Sequence, residues 1–184
     1  MIEYTTSKTI EDLEGILQLQ RSNLAVNLTP EDISSQGFVT VVHRLSDLQN
    51  MNNIQQHIIA KDGDKVIAYL LCMTAAAKAD IPVLVPMFEM FENILYKGKK
   101  ISAYHYIVVG QVCVANGYRG QGVLDKCYAA YKKELGNKYG FAITEIADRN
   151  QRSINAHKRI GFKTVHEYTA TDDEGWHIVL WDWN

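Results

Sequence analysis

Arg119, Gly120, Gln121 and Gly122 stand between a β-type apolar run, Tyr106 to Ala115, and a helix-forming stretch that runs from Gly122 through Val123 to Leu135. A strand that empties through a glycine loop into a helix N-terminus presents backbone N–H groups with no intrahelical partner, together with the positive end of the helix dipole. Glycines let an anion reach those groups without a Cβ in the way. The chemistry of such a loop is phosphate binding by backbone. It lacks the Gly-Lys-Ser/Thr ending of a P-loop, and the preceding segment lacks the full Gly-x-Gly-x-x-Gly of a dinucleotide fold. By itself the loop is equally well a turn that needs positive φ.

A second motif lies downstream. A strand-like run, Ala142 to Ala147, leads into Asp148-Arg149-Asn150-Gln151-Arg152-Ser153-Ile154-Asn155-Ala156-His157-Lys158-Arg159-Ile160-Gly161-Phe162. With the loop, this resembles the GNAT superfamily of N-acetyltransferases, in which an Arg/Gln-x-x-Gly-x-Gly/Ala loop is followed by an Asn-led short helix ending in Gly-Phe. The order strand, loop, helix, strand, Asn-led helix, strand matches over roughly residues 104 to 183; the first half fits in outline. The resemblance implies acetyl-CoA as co-substrate and no metal. Its pyrophosphate would lie on the backbone of Arg119, Gly120, Gln121, Gly122 and Val123. Its pantetheine amides would pair with Val112, Cys113 and Val114, as an added strand pairs with a sheet edge. Asn150, with Ser153, would touch the CoA arm. Both residues also make good N-terminal capping chemistry.

The pattern is broken at three positions. Gly117 stands where the loop's leading Arg/Gln is expected, and Leu124 where a third small residue is usual. His157 occupies the place where many family members carry a tyrosine that protonates the departing thiolate. An imidazole with an ordinary pKa near 6.5 permits that donation; packing on the inward helix face, or a role at the helix C-terminus, is the other reading. A protonated amine cannot attack a thioester, so a base or a water chain is also needed. Glu145, in the strand before Asp148, is one candidate, and His105 and Tyr106 at the start of the preceding strand are others. Cys113 reads as a small buried residue, with nothing nearby in sequence to lower its pKa.

Composition narrows the setting. The chain has 184 residues, of which 47% are hydrophobic, and a net charge of −2. That suits a single domain, residues 1–184, with a sizeable core, and argues against a nucleic-acid surface. No apolar run is long enough to span a membrane, and Met1-Ile2-Glu3-Tyr4 does not resemble a secretory leader. Cys72, Cys113 and Cys127 are odd in number with no Cys-x-x-Cys, which favours a reducing, cytoplasmic setting over a disulfide or zinc framework.

The elements that must position these residues follow from periodicity. Ile2 to Thr6 reads as a strand. Thr9, with Asp12 at the capping-box position, opens a helix carrying Ile10, Leu13, Ile16, Leu17 and Leu24 at helical spacing. Thr29-Pro30-Glu31-Asp32 is a second helix start, and Ser46-Asp47-Leu48 restarts a turn. His57 to Lys61 and Val66 to Thr74 form a hairpin about Asp62-Gly63-Asp64. In the helix after the glycine loop, Cys127, Ala130 and Tyr131 fall on the buried side. Phe162 to Tyr168 and Trp176 to Trp183 form a last hairpin. The expected fold is α/β, a mixed, mostly antiparallel sheet of about seven strands with helices on both faces. An extra helix is inserted between the third and fourth strands, within residues 75–103. Its stripe of Leu84, Met87, Phe88, Phe91, Ile94 and Leu95 suits a surface helix packed on the core, a lid over the acceptor pocket, or a contact with a second copy of the chain.

The resemblance thus implies direct transfer of an acetyl group from acetyl-CoA to a primary amine, carried by a small molecule or a peptide. Two alternatives stay open at this stage: a CoA-binding regulatory module without activity, and a transferase for a longer acyl chain.

Overall fold

Two nine-residue strands made mostly of β-branched, aromatic and other apolar residues form the middle of the sheet: β3 (Lys65–Met73) and β6 (Tyr106–Val114). β3 is buried at every position but its first, as a strand covered on both faces must be. The computed structural model describes residues 1–29, 31, 33, 37–80, 85–171 and 173–184, with backbone alone at Ala79 and Asp80. The helix start expected at Thr29 to Asp32, together with Pro82, Leu84 and Asp172, lies wholly or partly outside these residues.

Around that pair, β1 (Ile2–Thr6), β2 (Ile58–Asp62), β7 (Phe141–Ala147), β8 (Lys163–Thr169) and β9 (Gly175–Asp182) complete a seven-stranded sheet in the order β1-β2-β3-β6-β7-β9-β8. All neighbours are antiparallel except β6 and β7. That parallel pair is in register only at Tyr106–Phe141, Ile107–Ala142 and Val108–Ile143, and beyond Val108 the two strands part. Between β3 and β6 the register moves from Leu70–Val112 to Cys72–Val109, which leaves one extra residue on β6 at Gly110-Gln111. This bulge bends β6 where it leaves β7. A Cβ on Gly110 would sit 2.7 Å from Met73 Cε, so a larger residue there would have to displace the end of that side chain.

Helices cover both faces. On one side lie α1 (Ile10–Arg21), α2 (Leu45–Ile54) and α3 (Val85–Phe91), and on the other α4 (Val123–Leu135) and α5 (Gln151–Ile160). The capping box at α1 forms as expected. Thr9 Oγ1 accepts from the Asp12 N–H, and the Asp12 carboxylate accepts from the N–H groups of Thr9 and Lys8. α2 extends well beyond the single turn expected, because Leu48 and Met51 bury one face while Asp47 accepts from the Arg44 N–H at 2.8 Å.

Most of the described stripe of the inserted segment packs on the core. Met87, Phe88, Phe91 and Ile94 are buried, and the Phe91 ring packs edge-on against Tyr106 at 5.5 Å. Leu95 departs from the expected stripe and is 68% exposed, since the chain reverses there into the two-stranded hairpin β4 (Leu95–Tyr96) and β5 (Lys99–Lys100). Tyr96 O–H and Lys97 Nζ both donate to Asp182, tying that hairpin to the end of β9. On α4 it is Tyr128, rather than Ala130, that is fully buried beside Cys127 and Tyr131.

Candidate active site

The glycine loop begins where β6 ends. Past Val114 the chain makes one turn of 3-10 helix, Asn116–Tyr118, and then places Gly120 and Gly122 at φ 75° and 74°. That conformation favours glycine strongly over any β-branched residue. A Cβ at either position would meet no protein atom within 4 Å, so both glycines face open space at the start of α4. Gly122 is the α4 N-cap, and the N–H groups of the first helical turn point into that space. Two loop side chains turn back and brace it. Arg119 Nε donates to the Val114 carbonyl at 2.9 Å and its Nη2 to Asn23 Oδ1, while Gln121 Nε2 donates to the Gly117 carbonyl at 2.8 Å.

The space is a cleft of about 820 Å³. Its walls include Val112, Cys113 and Val114 on β6, Arg119, Gly120, Gly122 and Val123 at the loop, and Asn150, Ser153 and His157 on α5. Gln121 is the one residue of the expected cofactor set that does not line it. Phe38 closes the far side. Asn150 holds it there, its Oδ1 capping α5 through the Ser153 N–H while its Nδ2 donates to the Phe38 carbonyl at 3.2 Å. The Arg149 guanidinium lies 4.7 Å from the centre of the Phe38 ring.

A second cavity, of about 110 Å³, opens on the other side of the parted strands. Thr40, Val41, Met87, Gln111, Thr144, Glu145 and Trp176 are among its walls. It shares Phe38, Val39, Val112, Asn150, Ser153 and His157 with the large cleft. The two cavities therefore meet at the gap between β6 and β7. A long ligand on the glycine loop and a second reactant entering from Glu145 would come together there.

Glu145 is largely buried, and burial raises its carboxyl pKa. Tyr168 O–H donates to Oε2 at 2.7 Å and partly offsets that rise. A carboxylate in such a place is more basic than one in water and faces the small cavity. His157 is 2% exposed, and both its nitrogens are engaged. Nδ1 lies 2.8 Å from the Ser153 carbonyl oxygen, which can only accept, so Nδ1 carries the proton. Nε2, 2.6 Å from Tyr128 Oη, must then accept from that hydroxyl. Burial lowers the imidazole pKa to about 4. At neutral pH the ring is uncharged, and its one N–H is spent on its own helix.

Other sequence candidates lie elsewhere. His105 Nδ1 bonds the Lys138 carbonyl and its ring stacks on Tyr139, at the far end of β6 from the gap. Tyr106 is packed against Phe91 and Phe141, with its pKa pushed up to about 12 by burial. Neither lines either cavity. Cys113 does line the large cleft, but burial pushes its thiol up to about 12, so it is no thiolate. Among residues with no local signal are Phe38, Gln111 and Trp176, which reach the site only through the topology. Met87, from the stripe that also suited a lid over the acceptor pocket, lines the small cavity.

Residues 29–162 match the description of the acetyltransferase (GNAT) family. Among curated proteins none matches the chain. Solved structures that resemble it over nearly its whole length include a chain of the NatC complex bound to Gag peptide and CoA, with TM-score 0.66, 13% identity and coverage of 100% of this chain and 99% of that one. Another is Arabidopsis thaliana NAA60 in complex with acetyl-CoA, with TM-score 0.65, 15% identity and coverage of 99% of both chains. A third is the ribosomal-protein-S18-alanine N-acetyltransferase of Escherichia coli, with TM-score 0.63, 12% identity and coverage of 99% and 94%. At these identities the likeness is one of fold: the same mostly antiparallel seven-strand α/β architecture. With the family match covering most of the sequence, the chain belongs to the GNAT family of acetyltransferases.

Proposed function

We propose that the protein transfers the acetyl group of acetyl-CoA to the primary amine of a peptide, by direct attack and without a covalent enzyme intermediate. The observation that carries this reading is the meeting of the two cavities at the gap between β6 and β7, with an anion-binding loop at one end and a carboxylate of raised pKa at the other. Gly120 and Gly122 fit the expected ligand, because each leaves open, N–H-lined space where a side chain would otherwise stand. Two of the structurally similar proteins hold CoA or acetyl-CoA and one of these a peptide, which favours a peptide over a small-molecule amine.

When bound, acetyl-CoA supplies a thioester carbonyl open to attack by an amine. Backbone N–H groups of Arg119 to Val123 hold its pyrophosphate, and Val112 to Val114 hold its arm. Glu145 takes the proton from the incoming ammonium, directly or through one water, and leaves a neutral amine. Backbone N–H groups of β6 beyond the bulge, where the strand has left β7, stabilise negative charge on the carbonyl oxygen as the amine adds. His157 is assigned here to holding Tyr128 and walling the cleft. Being neutral, it has no proton to give; as the tetrahedral adduct collapses the attacking nitrogen sheds its remaining extra proton to solvent, and the released thiolate takes one from solvent.

Substituting Glu145 by Gln tests this directly. General-base catalysis is worth about 10²–10⁴-fold, so kcat should fall by that order with acetyl-CoA affinity retained. The wild-type kcat should rise with pH through the raised carboxyl pKa, and the variant should lose that limb. Unchanged kcat with an unchanged profile would remove Glu145 from the reaction.

A further inference from the structure

Residues 38–44, of which Phe38 to Val41 line the small cavity, have almost no regular structure. One bridge, Leu24 to Val39, joins them to the rest of the chain as a strand would. Beyond Val39, where Val41 also packs on the core, they are held by buried polar groups. Gln111, at the β6 bulge, donates from Nε2 to the Val41 carbonyl at 2.9 Å. Its Oε1 accepts from Tyr69 O–H at 2.6 Å and from Gln20 Nε2 at 2.9 Å. Gln20 Oε1 accepts from the His43 backbone N–H at 3.0 Å, and Gln20 Nε2 also donates to His43 Nδ1 at 2.9 Å. Gln20, His43, Tyr69 and Gln111 are all buried.

The donor and acceptor count fixes every orientation. Tyr69 O–H and Gln20 Nε2 both point at one oxygen of Gln111, so its other end must be the amide nitrogen, and that nitrogen can only donate. The Val41 carbonyl is the acceptor within reach. A buried amide whose oxygen and nitrogen are both engaged keeps one geometry. Gln111 and Val41 both line the cavity beside Glu145.

We infer that Gln111 is a positioning residue: through its bond to Val41 it sets where the 38–44 wall meets the acceptor, and so how tightly the acceptor is held against Glu145. The inference rests on the acetyltransferase reading of the site. It is distinct from it in that the Gln111 side chain bonds Val41, Tyr69 and Gln20 and no residue of the glycine loop.

Two variants break opposite ends of the network. Gln111→Glu keeps both acceptor contacts and turns the donor facing Val41 into an acceptor. Gln20→Leu leaves Gln111 in place but releases His43. Both should raise the acceptor-peptide KM at least about tenfold, with acetyl-CoA KM within twofold of wild type and kcat at saturating peptide little changed. Ile16→Val, on the buried face of α1, serves as the control for lost stability alone and should move no KM. Equal rises in both KM values, or no rise in either variant, would overturn the inference. Hydrogen exchange supplies a readout that needs no activity. Amides of residues 38–44 should exchange faster in both variants while those of Val112 to Val114 keep their wild-type protection. Unchanged exchange would overturn the inference even if the wild-type protein acetylated nothing, an outcome that would separately defeat the acetyltransferase reading.

Discussion

Three histidines are shut inside the protein as neutral rings, which makes its stability steeply dependent on pH. His43, His57 and His157 are 4%, 0% and 2% exposed. Burial takes each pKa from 6.5 down to about 4. His57 shows how firmly the neutral form is fixed: Nδ1 accepts from the Cys72 N–H at 3.1 Å, and Nε2 donates to the Leu48 carbonyl at 3.3 Å. Between pH 6.5 and 4 the unfolded chain binds protons that the folded chain refuses. The contribution is therefore fully present above pH 6.5 and is lost as pH falls toward 4. Each ring costs about 2 kcal/mol of stability at pH 5, and all three about 6 kcal/mol, against a total of roughly 5–15 kcal/mol for a typical domain. Lowered carboxylates such as Asp12, Asp47 and Asp182 titrate below this window, so they leave its slope alone. Denaturant unfolding followed by circular dichroism at pH 7.5, 6 and 5 should show the midpoint falling steeply at constant m. His43→Gln should lower stability at pH 7.5 yet shrink the loss between pH 7.5 and 5 by about a third. Stability constant to within about 1 kcal/mol over that range would refute the neutral-histidine argument.

Other outcomes follow from the same geometry. Gly120→Val or Gly122→Val should abolish CoA binding by calorimetry while unfolding stays cooperative, because a β-branched residue resists positive φ and its side chain would fill the cleft. His157→Gln should leave kcat within a few-fold and take no ionisation out of its pH profile; a loss of about 10²-fold or more would restore His157 as the proton donor. Phe91→Ala should cost about 3–5 kcal/mol of stability with the acceptor KM unmoved, since that ring is wholly buried. Met87→Ala, which opens the small cavity, should change the acceptor KM instead.

What could be read from sequence was local. Arg119 to Gly122 and Asn150 to Phe162 are short contiguous motifs whose chemistry is set by spacing within one turn or one short helix. They stand where that spacing puts them. The Thr9–Asp12 capping box and the Gly63 turn were legible for the same reason. Gln111 was not: the bulge beside it breaks the period-two alternation that would have said which way it faces. Phe38 and Val41 come from a stretch with no periodicity, and they reach the site through bonds to Asn150 and Gln111, far away in sequence. The engagement of His157 by Tyr128 joins two helices, and neither one's pattern contains it. Leu95 left its stripe because a two-residue turn, Lys97-Gly98, reversed the chain just beyond it.

The central claim is that this chain moves an acetyl group from acetyl-CoA to an amine. The most direct measurement incubates the purified protein with acetyl-CoA and a panel of peptides with free N-termini, following free thiol and the mass of each peptide together. The account predicts thiol release that depends on peptide and a matching acetyl increment on its α-amine, both lost in Gly122→Val. Tight CoA binding with no peptide or small amine acetylated, and no thiol released above the protein-free rate, would contradict it and leave a CoA-binding module in its place.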